Sequence, residues 1–164
     1  GHRLSVDLDF FTPDDFNTDE IIELLRADHT FTILAQSKNS LTLDISGVKS
    51  DFIRHAYPLL CPFYQYDGKQ IASVEDIAAM KLNAIKNRGS KKDFYDIHEL
   101  LNHFTIQELM KFHLEKYENS SSMVVRKSLL YFEDAEIEPD PVSLNLVSWP
   151  EVKSGLISIV KSFE

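Results

Sequence analysis

Three features of this 164-residue chain predict an α+β fold, with a small mixed or antiparallel sheet followed by a helical C-terminal part. Closely spaced β-type runs fill residues 1–72, and the apolar period then changes from two to about 3.6 at Ser73. A 43% hydrophobic content with only 5 Gly and 6 Pro leaves little room for linkers, so residues 1–164 are expected to form a single domain.

The opening run, Leu4 to Phe11, reads as a strand with Leu4, Val6, Leu8 and Phe10 on one face and Ser5, Asp7 and Asp9 on the other. Thr12-Pro13-Asp14-Asp15 is a turn, and Ile21, Ile22, Leu24 and Leu25 suit a short helix from about Thr18 to before His29. Phe31 to Gln36 and Ser40 to Ile45 flank a Ser-Lys-Asn turn, and Ser46-Gly47 leads into a further run, Val48 to Ala56. The segment between Pro58 and Pro62 is neither clearly helix nor strand, and Asp67-Gly68 is a turn.

Five helical patterns follow. The first, Ser73 to Arg88, opens on a Ser-x-x-Asp box and ends at Gly89. The others cover Lys91 to His103, Thr105 to about Glu118 and Ser121 to about Phe132, before an acidic irregular stretch from Glu133 to Val147. The last starts at Ser148-Trp149-Pro150, with Val152, Leu156, Ile159, Val160 and Phe163 on its apolar side.

Seventeen basic and 26 acidic residues give a formal charge of -9, so a polyanion must be met by a local basic patch. The lone Cys61 excludes an internal disulfide. No apolar run approaches the length of a membrane span and no signal peptide opens the chain, so a cytoplasmic protein with no membrane partner is expected.

Asp7 and Asp9 point the same way from an otherwise apolar strand, and like charges so close are relieved by a cation between them or by water. The pair is a candidate site for a hard divalent ion, which prefers a few carboxylates with phosphate and water oxygens. A third carboxylate from a neighbouring run could be Asp44 or Asp51. On the Ser73 helix, Lys81 and Arg88 share the side of the apolar stripe Val74, Ile77, Ala78 and Ile85, where buried charges need partners. Asp93, within the next stripe of Phe94, Ile97 and Leu101, is a candidate partner, with Asp96 nearer its border. Lys81, Lys86, Arg88, Lys91 and Lys92 together form the best candidate phosphate-binding patch, although a solvated helix end explains Lys86, Lys91 and Lys92 equally well.

These residues carry a resemblance. His2-Arg3-x-Ser5-x-Asp7-x-Asp9-Phe10-Phe11, Ala72-Ser73-x-x-Asp76-x-x-Ala79-x-Lys81 and Arg88-Gly89-x-Lys91-Lys92-Asp93-Phe94-x-Asp96 are similar to motifs of the AbiEii/AbiGii toxin family of nucleotidyltransferases. The likeness extends over Val48 to Pro58 and the late Trp149. It implies a core of the DNA polymerase β-like nucleotidyltransferase type, and transfer of a nucleotide from an NTP with magnesium or manganese (Mg2+ or Mn2+). By resemblance, Asp7 and Asp9 match the metal-binding pair, and Asp51 best matches the third catalytic carboxylate. Lys81 matches a lysine on the nucleotide phosphates, Asp93 the acidic position of the last motif, and Ser5, Arg3 and Arg88 the nucleotide-binding border.

The acceptor is left open among tRNA, another RNA, a protein hydroxyl and a small molecule, and the implied setting is a toxin–antitoxin or phage-defence system with a cognate antitoxin protein. Family members usually carry a Gly-Gly or Gly-Ser motif just upstream of this start, so the sequence reads as a fragment or a shortened member. The alternative is a non-catalytic member that binds a nucleotide or a protein partner in the same cleft.

Overall fold

A computed structural model describes residues 1–162. Phe163, assigned above to the last apolar stripe, lies outside the described residues. The chain divides into two compact units, one of residues 5–57 and one of residues 1–4 with residues 58 onward.

The first unit is a four-stranded sheet carrying one helix. Its elements are β1 (Asp7–Thr12), α1 (Thr18–Arg26), β2 (Phe31–Ser37), β3 (Ser40–Ile45) and β4 (Val48–Arg54). The strand order is β1-β4-β3-β2, with β2, β3 and β4 antiparallel and β1 parallel to β4. The sheet is therefore mixed. Asn39 (φ 60°), and Ser46 and Gly47 (φ 55° and 85°), supply the left-handed backbone that the two tight turns require. Asn17 caps α1 by accepting from the Asp19 N–H at 3.0 Å. The helix buries Ile22 against Leu41 and Leu43, with Ile21, Leu25, Phe31, Ile45 and Phe52 around them.

Two expectations are corrected here. The opening strand starts at Asp7 rather than Leu4, because His2 and Leu4 satisfy their backbone elsewhere: the Leu4 N–H donates to the Val142 carbonyl (2.9 Å), and the Leu144 N–H donates to that of His2 (2.7 Å). The supposed apolar face of that strand is also half open, since Leu8 and Phe10 are 52% and 48% exposed and the helix covers β2 and β3 instead.

The second unit holds a hairpin, β5 (Tyr64–Tyr66) and β6 (Lys69–Ile71), and the helices α2 (Val74–Asn87), α3 (Lys91–Leu100), α4 (Ile106–Lys116), α5 (Ser122–Leu129), α6 (Glu133–Glu136) and α7 (Trp149–Ser162). The hairpin was foreshadowed only by its Asp67-Gly68 turn, because three-residue strands give too few positions to show alternation. Short α6 interrupts the stretch expected to be irregular. Thr105 and Glu108 form both bonds of a capping box at the start of α4.

Helix α2 packs against α3, α4 and α5, and α7 packs against α3 and α5. Between them lie Leu82, Phe94, Leu129, Val152 and Leu156, all without solvent exposure. The buried side of α2 is Ala78, Ala79, Leu82 and Ile85, turned from the expected stripe so that Val74 is 49% exposed. Asp76 does not close a reciprocal box with the Ser73 N–H. Its carboxylate instead accepts from Ser73 Oγ (2.7 Å), the N–H groups of Leu60 and Cys61 (3.2 Å each) and Lys116 Nζ (2.6 Å). The segment around Pro58 is thus organised by a buried charge.

Candidate functional site

In the sheet unit the register of β1 on β4 sets Asp7 opposite Lys49 and Asp9 opposite Asp51. The next strand, β3, sets Thr42 opposite Asp51 and Asp44 opposite Lys49. Paired residues project from the same side, so Asp7, Asp9, Lys49, Asp51, Thr42 and Asp44 share the face away from the Leu41 and Leu43 core. Between the two candidates for a third carboxylate, Asp51 is the one directly across from Asp9. Asp44 accepts from the Gly47 N–H at 2.7 Å and so braces the β3–β4 turn.

Both oxygens of Asp51 are engaged: Thr42 Oγ1 donates to Oδ1 at 2.5 Å and Lys49 Nζ to Oδ2 at 2.5 Å. The hydrogen bond from Lys49 to Asp51 holds the lysine pKa above its ordinary value. The charges of Asp51, Asp7 and Asp9 act in the same sense, against the effect of burial. All three carboxylates therefore favour a cation on this face. Their hard oxygen donors suit magnesium or manganese, for which one or two carboxylates with water and phosphate oxygens suffice. Among the described residues, no three His, Cys, Asp or Glu side chains converge tightly enough to enclose an ion by themselves. Ser5 is exposed, two residues ahead of β1.

In the helical unit, Asp93 and Asp96 lie one turn apart on α3, 0% and 5% exposed. Lys81 Nζ bridges them, 3.0 Å from Asp93 Oδ1 and 2.7 Å from Asp96 Oδ2. Arg88 Nε donates to Asp93 Oδ2 at 3.1 Å. Arg3 grips Asp96 with two bonds, from Nε at 2.5 Å and from NH2 at 2.8 Å, and His2 Nε2 lies 2.8 Å from Asp96 Oδ1. Burial pushes the Lys81 pKa down, but the charges of Asp96 and Asp93 and their hydrogen bonds raise it above its usual range. Burial likewise raises the Asp96 carboxyl, and is outweighed by the hydrogen bond from Arg3 and the charge of Lys81, which hold it low. Among the described residues, three permanent cations surround these two carboxylates, with the Lys81 side chain 25% exposed and that of Arg88 58% exposed, a setting that suits an anion.

Sequence reasoning thus named Arg3, Lys81, Arg88 and Asp93, which the structure brings into one network, and set Asp96, the residue that joins Arg3 to Lys81, only near the border of its stripe. The signal for Asp96 was present in the three-residue spacing of Asp93-Phe94-Tyr95-Asp96, which stacks both carboxylates on one helical face. The five-lysine-and-arginine patch is not a single surface. Lys91 is buried with its Nζ 2.9 Å from Asp140 Oδ1 and over the Trp149 ring, and Lys86 reaches Ser120 and Tyr117. Among the described residues, no helix is long and apolar enough to cross a membrane.

Residues 29–154 match the family model of the AbiEii nucleotidyl transferase toxin of the type IV toxin–antitoxin system. An uncharacterized protein of Aquifex aeolicus, aq_aa25, is 42% identical over 175 residues, covering 99% of this chain and 81% of that protein. Two solved structures from Helicobacter pylori show the same fold. JHP933 has a TM-score of 0.52 at 16% identity, covering 98% of this chain and 75% of that one. A second, provisionally named a nucleotidyltransferase, has a TM-score of 0.53 at 17% identity, covering 98% and 78%. With a family match across most of its length and a relative 42% identical over 99% of this chain, the chain belongs to the AbiEii nucleotidyl transferase toxin family.

Proposed function

We propose that this chain transfers a nucleotide from an NTP to an acceptor hydroxyl with a divalent metal ion, as the toxin component of a toxin–antitoxin or phage-defence pair acting in the cytoplasm. The observation that carries the reading is the register that sets Asp9 opposite Asp51 with Asp7 on the same sheet face. Asp7, Asp9 and Asp51 would hold magnesium or manganese, which supplies neutralisation of charge at the attacking and leaving oxygens. Asp51 would also accept the proton of the incoming hydroxyl.

Lys81, with Arg88 and Arg3 beside it, binds the triphosphate and offsets charge on the departing pyrophosphate. Asp93 and Asp96 fix these cations in place, and Ser5 borders the nucleotide. The acceptor is an RNA such as tRNA or a protein hydroxyl, and a cognate antitoxin protein is the regulatory partner. Incubating the chain with each labelled NTP, magnesium or manganese, total RNA and a protein extract tests the reading. Label should appear in one acceptor class with the parent and fall by about a hundredfold or more with Asp9→Asn. Equal labelling by both proteins would sink it.

A further inference from the structure

On the carboxylate face of the sheet, the residue that answers the negative charge is Lys49. Lys49 and Asp51 are two apart on β4, so the strand's own period sends both side chains to one side. The ammonium pairs with Asp51 Oδ2 while Thr42 occupies Oδ1, and Asp9 and Asp7 stand directly across from Asp51 and Lys49. The Lys49 side chain remains 46% exposed and that of Asp51 only 13%. A long side chain in that position can leave for solvent without unpacking any core. A carboxylate whose two oxygens already accept from an ammonium and a hydroxyl has less charge and fewer lone pairs to offer a metal, and the ammonium repels a cation arriving beside it.

We infer that Lys49 is a built-in counter-ion that competes with the divalent metal for Asp51 and its neighbours. Metal alone is thereby held off, and the site loads when metal arrives with nucleotide phosphates that share the charge. This inference rests on the reading of Asp7, Asp9 and Asp51 as the metal ligands. Removing the lysine relieves the competition. Retaining a cation at the same place preserves it.

The test is manganese binding to the full chain without nucleotide, followed by calorimetry or electron paramagnetic resonance, for the parent, Lys49→Met and Lys49→Arg. Lys49→Met should bind manganese about tenfold more tightly than the parent, because a unit positive charge beside a divalent ion is removed. Lys49→Arg should keep the parent's weak binding, and Asp9→Asn added to Lys49→Met should abolish the gain. The unfolding midpoint of Lys49→Met should fall without metal and recover when manganese is added, which a merely structural ion pair would not produce. If Lys49→Met binds no more tightly than the parent, the inference is overturned and the metal reading stands. If neither protein binds manganese at all, both fall. Should Lys49→Met not fold, Lys49→Gln supplies the same comparison.

Discussion

His113 on α4 has no solvent exposure, and neither ring nitrogen has a hydrogen-bond partner among the described residues. Burial, and secondarily the charge of Lys86, depress its pKa from 6.5 to about 4. The ring is therefore neutral in the folded chain at pH 7. Between pH 6.5 and about 4 the unfolded chain takes up a proton that the folded chain refuses, so stability falls with pH across that window by about 3 kcal/mol. Urea melts at intervals from pH 7 to 4 should show the decline, and His113→Leu should flatten it. An equal slope in the variant would remove His113 as the cause. Asp96 acts in a different window. Its carboxyl is held below the ordinary 3.8, so its contribution is complete above that value and is lost only as pH falls further.

The ion pair of Asp76 and Lys116 shows how one charge can organise several elements. Both side chains are 1% exposed, and besides pairing with α2 through Asp76, Lys116 on α4 donates to the Pro58 carbonyl at 2.8 Å. Burial pushes the Asp76 carboxyl up, and the bonds from Lys116, Ser73, Leu60 and Cys61 more than reverse this. Lys116→Met leaves that carboxylate buried without its cation and should cost about 3–5 kcal/mol by chemical denaturation. A loss under about 1 kcal/mol would mean that the pair is no better than a surface bridge.

The same elements show what local sequence can convey. The caps of α2 and α4, Gly89 after α2 and Pro150 in the first turn of α7 were all legible, because capping chemistry lies within three or four residues of the end it serves. The α6 turn and the β5–β6 hairpin were too short to show a period. Asp76 read as a cap, because nothing near it in the chain announces Lys116.

Across the whole chain, the α+β class followed from periodicity, while the strand pairing did not, and the two compact units divide at residues 57 and 58 rather than at the change of period near Ser73. The parallel union of β1 with β4 joins residues more than forty positions apart, and the attachment of residues 1–4 to residues 142–144 spans almost the full length. Such contacts leave no local pattern. The candidate residues divide along the same line: Asp7 and Asp9 were visible as a strand pair, the β-type runs left Asp44 and Asp51 open with the resemblance favouring Asp51, and Asp96 was named without its partners, whereas the placing of Asp51 opposite Asp9 and the presence of Lys49 beside it came only with the register.

In an acidic protein of net charge -9, Arg3, Lys81 and Arg88 gather around Asp93 and Asp96, and the proposed function assigns an anion to this place. The central claim is that this anion is the triphosphate of a nucleotide attacked at its α-phosphorus. The most direct measurement compares two preparations of the same NTP, one labelled in the α-phosphate and one in the γ-phosphate, under identical conditions with metal and acceptor. Transfer of the α label, with the γ label released as pyrophosphate, is the predicted result. Transfer of the γ label would make the chemistry phosphoryl transfer and contradict the claim.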